Sequence, residues 1–586
     1  MIRFLLRLSA ACLLVLPELP ARAAPPPAAA PCWVELRDKA GVHFDARAYF
    51  SPQAQARRRR QHLPAADSTD FPLRPDLLAQ VQAHADTVLL VSRWFNAMAC
   101  RATPAQQAAL RRLPGVRRVV PLPTADLQPA ARAERPAADA PATSELHQLA
   151  QRQVGSLGLG ALRRAGLSGR GLRIAVLDVG FNGADQHPAF EHLRRGGRIV
   201  ATHDFVRQRP DVYRGGSHGT QVLSCLAGVL PNGQALGLAP EAEYLLARTE
   251  HLHRELYSEE LAWLAAAEWA DRLGADIINS SLGYTDRRYF REQMDGRTSL
   301  VARAANMAAR KGMLVVCAAG NDGDDPRWRL IGTPADADSA LAVAGLDPGS
   351  FLPTEFSSCG PAAGGRRKPN VAALGVVAAA SSDGGYRQVE GTSFASPLLA
   401  GLAACLWQQQ RELPAMELFR RLEQAGELYP YFDYAQGYGL PTATRLLTPA
   451  SAPAAPSFDF VADAGGVQVL LRPHLRAVQA LPLYADSTQA PLPPAARPAV
   501  ADAPAVNPLS SPASAAAAGD SGAGAARPEQ LLYCYWHLAD GRGRLRRYQV
   551  LDVRQRAVLR LPLNALLPGD VLRVHVAGYT AEYRLP

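Results

Sequence analysis

At 586 residues the chain is longer than one hydrophobic core organises, and roughly two to four domains are expected. A hydrophobic content of 48% excludes a chain disordered throughout. The net charge of +10 raises the question of nucleic acid. However, the basic residues are almost all arginine, with Lys39, Lys311 and Lys368 the only lysines, and no nucleic-acid motif accompanies them. A solvated basic surface is the better reading, and no nucleic-acid partner is expected.

The N-terminus reads as an export signal over residues 1–23. Met1-Ile2-Arg3 gives a positive start, Phe4 to Pro17 an apolar stretch interrupted by Arg7, and Ala21-Arg22-Ala23 a small-x-small cleavage site. Ser9-Ala10-Ala11-Cys12 faintly matches a lipoprotein site but lies inside the apolar stretch, so the Ala23 site is preferred. No later run approaches the ~20 apolar residues of a membrane span. The expectation is an exported, soluble mature chain, periplasmic or secreted, with no integral membrane segment.

Residues 24–122 form a first unit. Val88 to Val91 is strand-like and Trp94 to Ala99 is read as its continuation. Thr103 to Leu113 follows as a capped helix with proline in its first turn, and Gly115 to Val120 closes the unit as a further strand. Arg57 to Arg60 continue a Gln/Ala/Arg helix and are read as its exposed face rather than as a processing signal. Residues 123–145 are Ala/Pro-rich without periodicity, as a linker is.

The region 146–447 alternates strand and helix. Strands are expected at Leu172 to Asp178, Glu243 to Ala247, Ala275 to Ser280, Gly312 to Cys317 and Ala340 to Gly345, with helices at Ser258 to Leu273 and Ser299 to Lys311. Such alternation implies an α/β fold, a parallel sheet covered on both faces. Four segments carry chemistry. A β-branched run ends in Asp178-Val179-Gly180, Ser217-His218-Gly219-Thr220 opens a helical pattern, a buried strand ends in Gly320-Asn321, and Gly391-Thr392-Ser393 precedes a small-residue helix. A serine at a helix start has unpaired N–H groups and positive partial charge around it. Taken alone, such a segment is also an ordinary serine-capped helix. Nucleophilic serine chemistry needs a base, a carboxylate to hold the base, and donors for the oxyanion. His218, Asp178, and the Asn321 amide with the Ser393 N–H supply these roles.

The C-terminal region 448–586 changes character. Gly466 to Leu471, Leu531 to His537, Leu545 to Val550, Val558 to Leu561, Val571 to Ala577 and Tyr583 to Leu585 are strand-like, and Pro568-Gly569-Asp570 marks a turn. Together they read as a small β-sandwich, interrupted by an Ala/Pro/Ser tract over about 490–527 that is expected to be disordered. Of the eight cysteines, Cys225, Cys317 and Cys405 sit in apolar runs as inert core thiols, whereas Cys32 and Cys100 share a region and are a candidate pair. The stretch Glu250 to Glu255, with His251 and His253, is read as a solvated loop in preference to a metal site. Asp322, Asp324 and Asp325 are candidate calcium contacts, with a polar loop preferred; no cofactor is required by the chemistry.

The motifs D-x-G, H-G-T-x-V, A-G-N and G-T-S-x-A-S-P, in the order Asp, His, Asn, Ser, resemble those of the subtilisin-like serine proteases. That order differs from the chymotrypsin-like and α/β-hydrolase arrangements. The resemblance implies Asp178, His218 and Ser393 as catalytic residues and Asn321 as the oxyanion donor. It also implies a substrate strand at Ser280, Ser281, Leu282 and Gly283, pairing with an extended peptide, and a substrate-binding place for Thr392. Polypeptide substrates follow, and the 24–122 unit resembles the family's inhibitory propeptide, an intramolecular inhibitor of the zymogen. Val179 departs from the pattern, because most of the family carries Ser or Thr there; looser hydrogen bonding around Asp178 is expected. If His218 is the base, activity falls as its imidazole protonates, near the ordinary value of about 6.5.

Overall fold

The computed structural model describes residues 28–123, 143–252, 255–286, 288–448, 454–463, 466–472, 532–553, 558–562 and 566–585. The export signal, nearly all of the expected linker and the Ala/Pro/Ser insert lie outside the described residues. Among those described, no helix is long and apolar enough to cross a membrane.

The N-terminal unit is a four-stranded antiparallel sheet, order β2-β3-β1-β4, built from β1 (Ala30–Leu36), β2 (Thr87–Ser92), β3 (Ala97–Ala102) and β4 (Val116–Pro121). Its helices are α1 (Pro52–Arg60), α2 (Pro75–His84) and α3 (Pro104–Arg112). Thr103 closes a capping box with Gln106 at the start of α3, which is why that helix was readable from its sequence. Two expectations are corrected. Val88 to Ala99 is not one strand: it turns at residues 93–96 and returns as β3. The reversal is set by Glu268 of the next domain, whose carboxylate accepts from the Arg93 and Trp94 N–H groups and the Ser92 hydroxyl. Nor does the arginine run lie on an exposed face, since Arg57 and Arg58 are buried against aspartates.

The central domain is a seven-stranded parallel sheet, order β11-β10-β9-β8-β5-β7-β6. Its strands are β5 (Arg173–Asp178), β6 (Ile199–Asp204), β7 (Glu243–Arg248), β8 (Ile277–Ser280), β9 (Leu314–Ala318), β10 (Ala340–Leu346) and β11 (Val371–Leu374). Every residue of β5 is buried, as a strand covered on both faces must be. Ile174 and Val176 pack on one side with α4 (His218–Ala227) and α7 (Thr392–Gln409). Ala175 and Leu177 pack on the other with α5 (Ser258–Leu273) and α6 (Leu300–Arg310). Trp33, Trp94, Ala97 and Ala99 of the N-terminal sheet join that second core, so the first domain sits on α5 and α6. A hairpin of β12 (Val376–Ala380) and β13 (Tyr386–Glu390) leads into α7.

The C-terminal region holds two sheets. One is three-stranded, β14 (Phe458–Asp463), β15 (Gly466–Leu471) and β18 (Val558–Pro562); the other is four-stranded, β17 (Leu545–Asp552), β16 (Tyr533–Ala539), β19 (Val571–Val576) and β20 (Tyr579–Arg584). Phe458, Val467 and Val469 of the first meet Trp536, Leu572 and Val574 of the second in a shared core. Two sheets closing on one apolar layer make a sandwich. It docks on the central domain where Tyr431 packs on His537 and His575, with ring centroids 5.1 and 5.7 Å apart.

Candidate active site

Asp178 ends β5, the strand between β7 and β8. In open α/β sheets the crevice at the strands' carboxyl ends is where reacting groups gather. Asp178 is fully buried, and its Oδ1 lies 2.8 Å from Nδ1 of His218, the first residue of α4. The same Oδ1 accepts from the Val179 N–H at 2.8 Å. Asp178 Oδ2 is buried with no hydrogen-bond partner among the described residues. A hydroxyl beside the aspartate would be a donor there; Val179 has none.

Ser393 is the second residue of α7 and is 8% exposed, enough to open on the crevice but little more. The backbone reaches it through Gly391, whose φ of +151° and ψ of 150° belong to glycine alone. The next residue, Phe394, packs its ring 5.5 Å from that of His218, which seats the imidazole beside the serine. The Ser393 Oγ donates to the Ser281 carbonyl at 3.2 Å, and the Ser281 Oγ donates to the Ser393 carbonyl at 2.7 Å. Asn279 Nδ2, at 3.1 Å, donates to Ser281 Oγ, and Ser396 Oγ lies 3.1 Å from it. The end of β8 and the start of α7 are thereby laced together.

Asn321 follows β9 and Gly320. Its Oδ1 accepts from both the N–H and the hydroxyl of Thr392, each at 2.9 Å. With the oxygen so engaged, the amide orientation is fixed by its network and Nδ2 faces the glycine before Ser393; a Cβ on Gly391 would lie 3.4 Å from it. A side-chain donor and the helix N-terminus converge on one place, the arrangement that meets a developing oxyanion. Thr392 is itself fully buried. The structure places its side chain against Asn321 and Gly320, so it touches Asn321 rather than an open subsite.

The expected substrate strand divides. Ser280 is the last residue of β8, fully buried, and its Oγ accepts from Trp263 Nε1 at 2.9 Å on the α5 side. Its hydroxyl therefore faces away from the crevice. Leu282 is half-buried and Gly283 exposed. Tyr284 then pairs through its backbone with Thr333, at 2.9 and 3.1 Å. Residues 281–283 thus run along the crevice edge between two fixed points.

The stretch read from the sequence as a solvated loop instead contributes to a buried charge cluster, with residues the sequence reading did not single out. Glu250 and Glu255 are not solvated: they are 8% and 6% exposed. Tyr284 donates its hydroxyl to Glu250 at 2.7 Å, while Arg288 lies 3.0 Å from Glu260, 3.5 Å from Glu259 and 3.6 Å from Glu255. Burial is what pushes Glu250 up to about 7 and Glu259 to about 9. The signal that could have found them was the density of Glu at the start of α5 together with the Arg287-Arg288 pair after Tyr284.

Burial also pushes the Cys225, Cys317 and Cys405 thiols up to about 12, which keeps them protonated and unreactive. Asp325 pairs with Arg327 at 3.2 Å. Among the described residues no group of three or more His, Cys, Asp or Glu side chains is placed to hold a metal ion.

Carboxylate, imidazole, helix-start serine and amide donor at the carboxyl edge of a parallel sheet define the class of serine hydrolases with an Asp-His-Ser chain order. Sequence comparison gives the family. The model described as the subtilase family matches residues 169–439, and the one described as the peptidase S8 propeptide domain, Bacteroidota, matches residues 31–137. Subtilisin DY of Bacillus licheniformis is 30% identical over 275 residues, 46% of this chain and 90% of that protein. Serine protease AprX of Bacillus subtilis is 30% identical over 282 residues, 43% of this chain, but the match spans only 60% of AprX. The structure of the epidermin leader peptide processing serine protease from Staphylococcus aureus shares the fold, with a TM-score of 0.50 at 17% identity, over 72% of this chain and 100% of that one. The chain belongs to the subtilase family and carries that family's propeptide domain at its N-terminus.

Proposed function

We propose that the protein is an exported serine endopeptidase made as a zymogen, with polypeptides as substrates. The reading is supported by the Asp178–His218 pair, whose imidazole ring lies 5.5 Å from that of Phe394, the residue after Ser393, and by an Asn321 amide whose oxygen is tied to Thr392, the residue before it. His218 takes the proton from Ser393 Oγ as the oxygen attacks a peptide carbonyl. Asp178 holds the imidazole and stabilises its charged form. Asn321 Nδ2 and the Ser393 N–H receive the oxyanion, the amine leaves with the proton from His218, and water releases the acyl group. Residues 281–283 offer backbone to an extended substrate as an added strand. No redox or nucleotide cofactor enters, and no step is routed through calcium.

The N-terminal domain keeps the enzyme latent until the chain is cut within 123–145. Export rests on the signal-like residues 1–23. Expression of the full chain with and without Ser393→Ala tests the whole reading. The wild type is expected to lose residues up to the linker and to hydrolyse unstructured protein, whereas Ser393→Ala stays full length and inert. An equally trimmed and equally active Ser393→Ala protein would refute the assignment of Ser393.

A further inference from the structure

β7 lies next to β5, and Arg248 at its end is directly opposite Asp178 in the parallel ladder. Tyr244 and Leu246 of β7 pack in the same core as Ile174 and Val176 of β5. Side chains two apart along a strand share a face, so Arg248 and Asp178 both project to the side of α4, whose first residue is His218. Arg248 is 3% exposed. Its Nη1 donates to Asp204 Oδ2 at 2.9 Å, and Asp204, which ends β6, is itself fully buried. Asp204 Oδ1 accepts from the Val206 and Arg207 N–H groups, each at 2.9 Å. The aspartate therefore holds the guanidinium from a fixed place.

Arg248 Nε donates to the carbonyl of Val179, the residue after Asp178, at 3.0 Å. Alongside it, the Thr249 N–H donates to the Asp178 carbonyl at 2.9 Å. The chain that enters His218 passes the same point. The Gly216 N–H faces the Val179 carbonyl at 3.4 Å. A Cβ on Gly215 would lie 3.0 Å from Arg248 Nε, and one on Gly216 would lie 2.6 Å from Val179 Cγ1. Asn182 ties the two segments further, donating to the Gly215 carbonyl and accepting from the Gly215 N–H, each at 2.6 Å.

A buried ion pair is no general gain in stability, because the desolvation of two charges offsets their attraction. Arg248 and Asp204 stand where orientation matters. Asp178 and His218 come from different elements, and a misplacement of about 1 Å among reacting groups can cost about 100-fold in rate. Val179 offers the aspartate no hydroxyl, and its carbonyl is what the guanidinium holds. We propose that Arg248 is a positioning residue for the Asp178–His218 pair: anchored by Asp204, it fixes the peptide leaving Asp178 against the chain entering His218. The proposal rests on the serine-protease reading of the site.

The test compares wild type, Ser393→Ala, Arg248→Met and the double variant Arg248→Met, Asp204→Asn, each as the full chain cut in the linker by an added protease. Fluorophosphonate titration counts reactive serines, and initial rates on a chromogenic peptide give KM and kcat per reactive serine. In Arg248→Met, kcat is expected to fall roughly 10- to 100-fold with KM nearly unchanged. That variant also leaves Asp204 to Arg209, 3.7 Å away, and should lower Tm. The double variant removes the buried carboxylate, so Tm should recover while kcat stays low. A wild-type kcat in Arg248→Met, a loss carried by KM alone, or a double variant whose kcat recovers with its Tm would each overturn the proposal. Should Arg248→Met not fold, the double variant decides by the same split between kcat and KM. A wild type no faster than Ser393→Ala would instead refute the protease reading, and this proposal with it.

Discussion

Thr392 offers the sharpest test of how the oxyanion donor is held. Thr392→Val keeps the side-chain shape and deletes the hydroxyl, removing one of the two 2.9 Å hydrogen bonds that Asn321 Oδ1 accepts. The backbone N–H bond stays. A net hydrogen bond is worth about 1 kcal/mol, which corresponds to roughly a 5-fold loss in kcat/KM. Because the loss arises in the transition state, it should fall on kcat with KM nearly unchanged. Asn321→Ala removes the donor itself and should cost ~100- to 1,000-fold. The double variant should be no slower than Asn321→Ala alone, since Thr392 acts only through Asn321. Thr392→Ser should recover most of the rate. Initial rates on a chromogenic peptide, with thermal melts to separate stability from catalysis, provide the assay. Thr392→Val as slow as Asn321→Ala, or losses that multiply in the double variant, would refute the reasoning.

Other outcomes follow from the same geometry. Burial raises Glu250 to about 7 from its ordinary range. Its folded form therefore favours the proton, and the stability it contributes is fully present below about 4.5 and lost as pH rises through about 7. Glu250→Gln keeps an acceptor for Tyr284 and should raise Tm at pH ~8 relative to wild type while changing little near pH ~4; a Tm difference independent of pH would contradict the role of ionisation. Cys32 and Cys100 are directly opposed on β1 and β3, with Sγ atoms 3.6 Å apart. Protein recovered from an oxidising compartment should carry them linked, whereas peptide mapping that finds both alkylated would argue against it. Peptide hydrolysis should decline on acidification as the His218 imidazole protonates; a flat rate profile from pH ~8 to ~5 would remove His218 as the base.

The site was legible because each of its four residues sits beside a strong local signal. Asp178 and Asn321 end apolar strand runs, and His218 and Ser393 begin helical ones. The inner strands of the parallel sheet were readable, as in β5, but the two edge strands were not: β6 is mostly half-exposed, and β11, though buried throughout, is only four residues long. What escaped the sequence depends on contacts between distant segments. Four arginines in a row on a short helix have the composition of a solvated face; Asp70 and, more than two hundred residues later, Asp271 are what bury Arg57 and Arg58. The reversal at residues 93–96 depends likewise on Glu268. The wall beneath residues 281–283 depends on Arg288 meeting glutamates from another loop and helix. Charge partners chosen across domains leave no periodicity to read.

The most direct test of the account is covalent labelling of the serine. Purified wild type, after the linker has been cut, is incubated with a fluorophosphonate probe beside Ser393→Ala and analysed by peptide mass spectrometry. The account predicts one adduct, on Ser393, in the wild type and none in the variant. A wild type that stays unlabelled at Ser393 when folded and cut, or a probe that modifies both proteins equally, would contradict it.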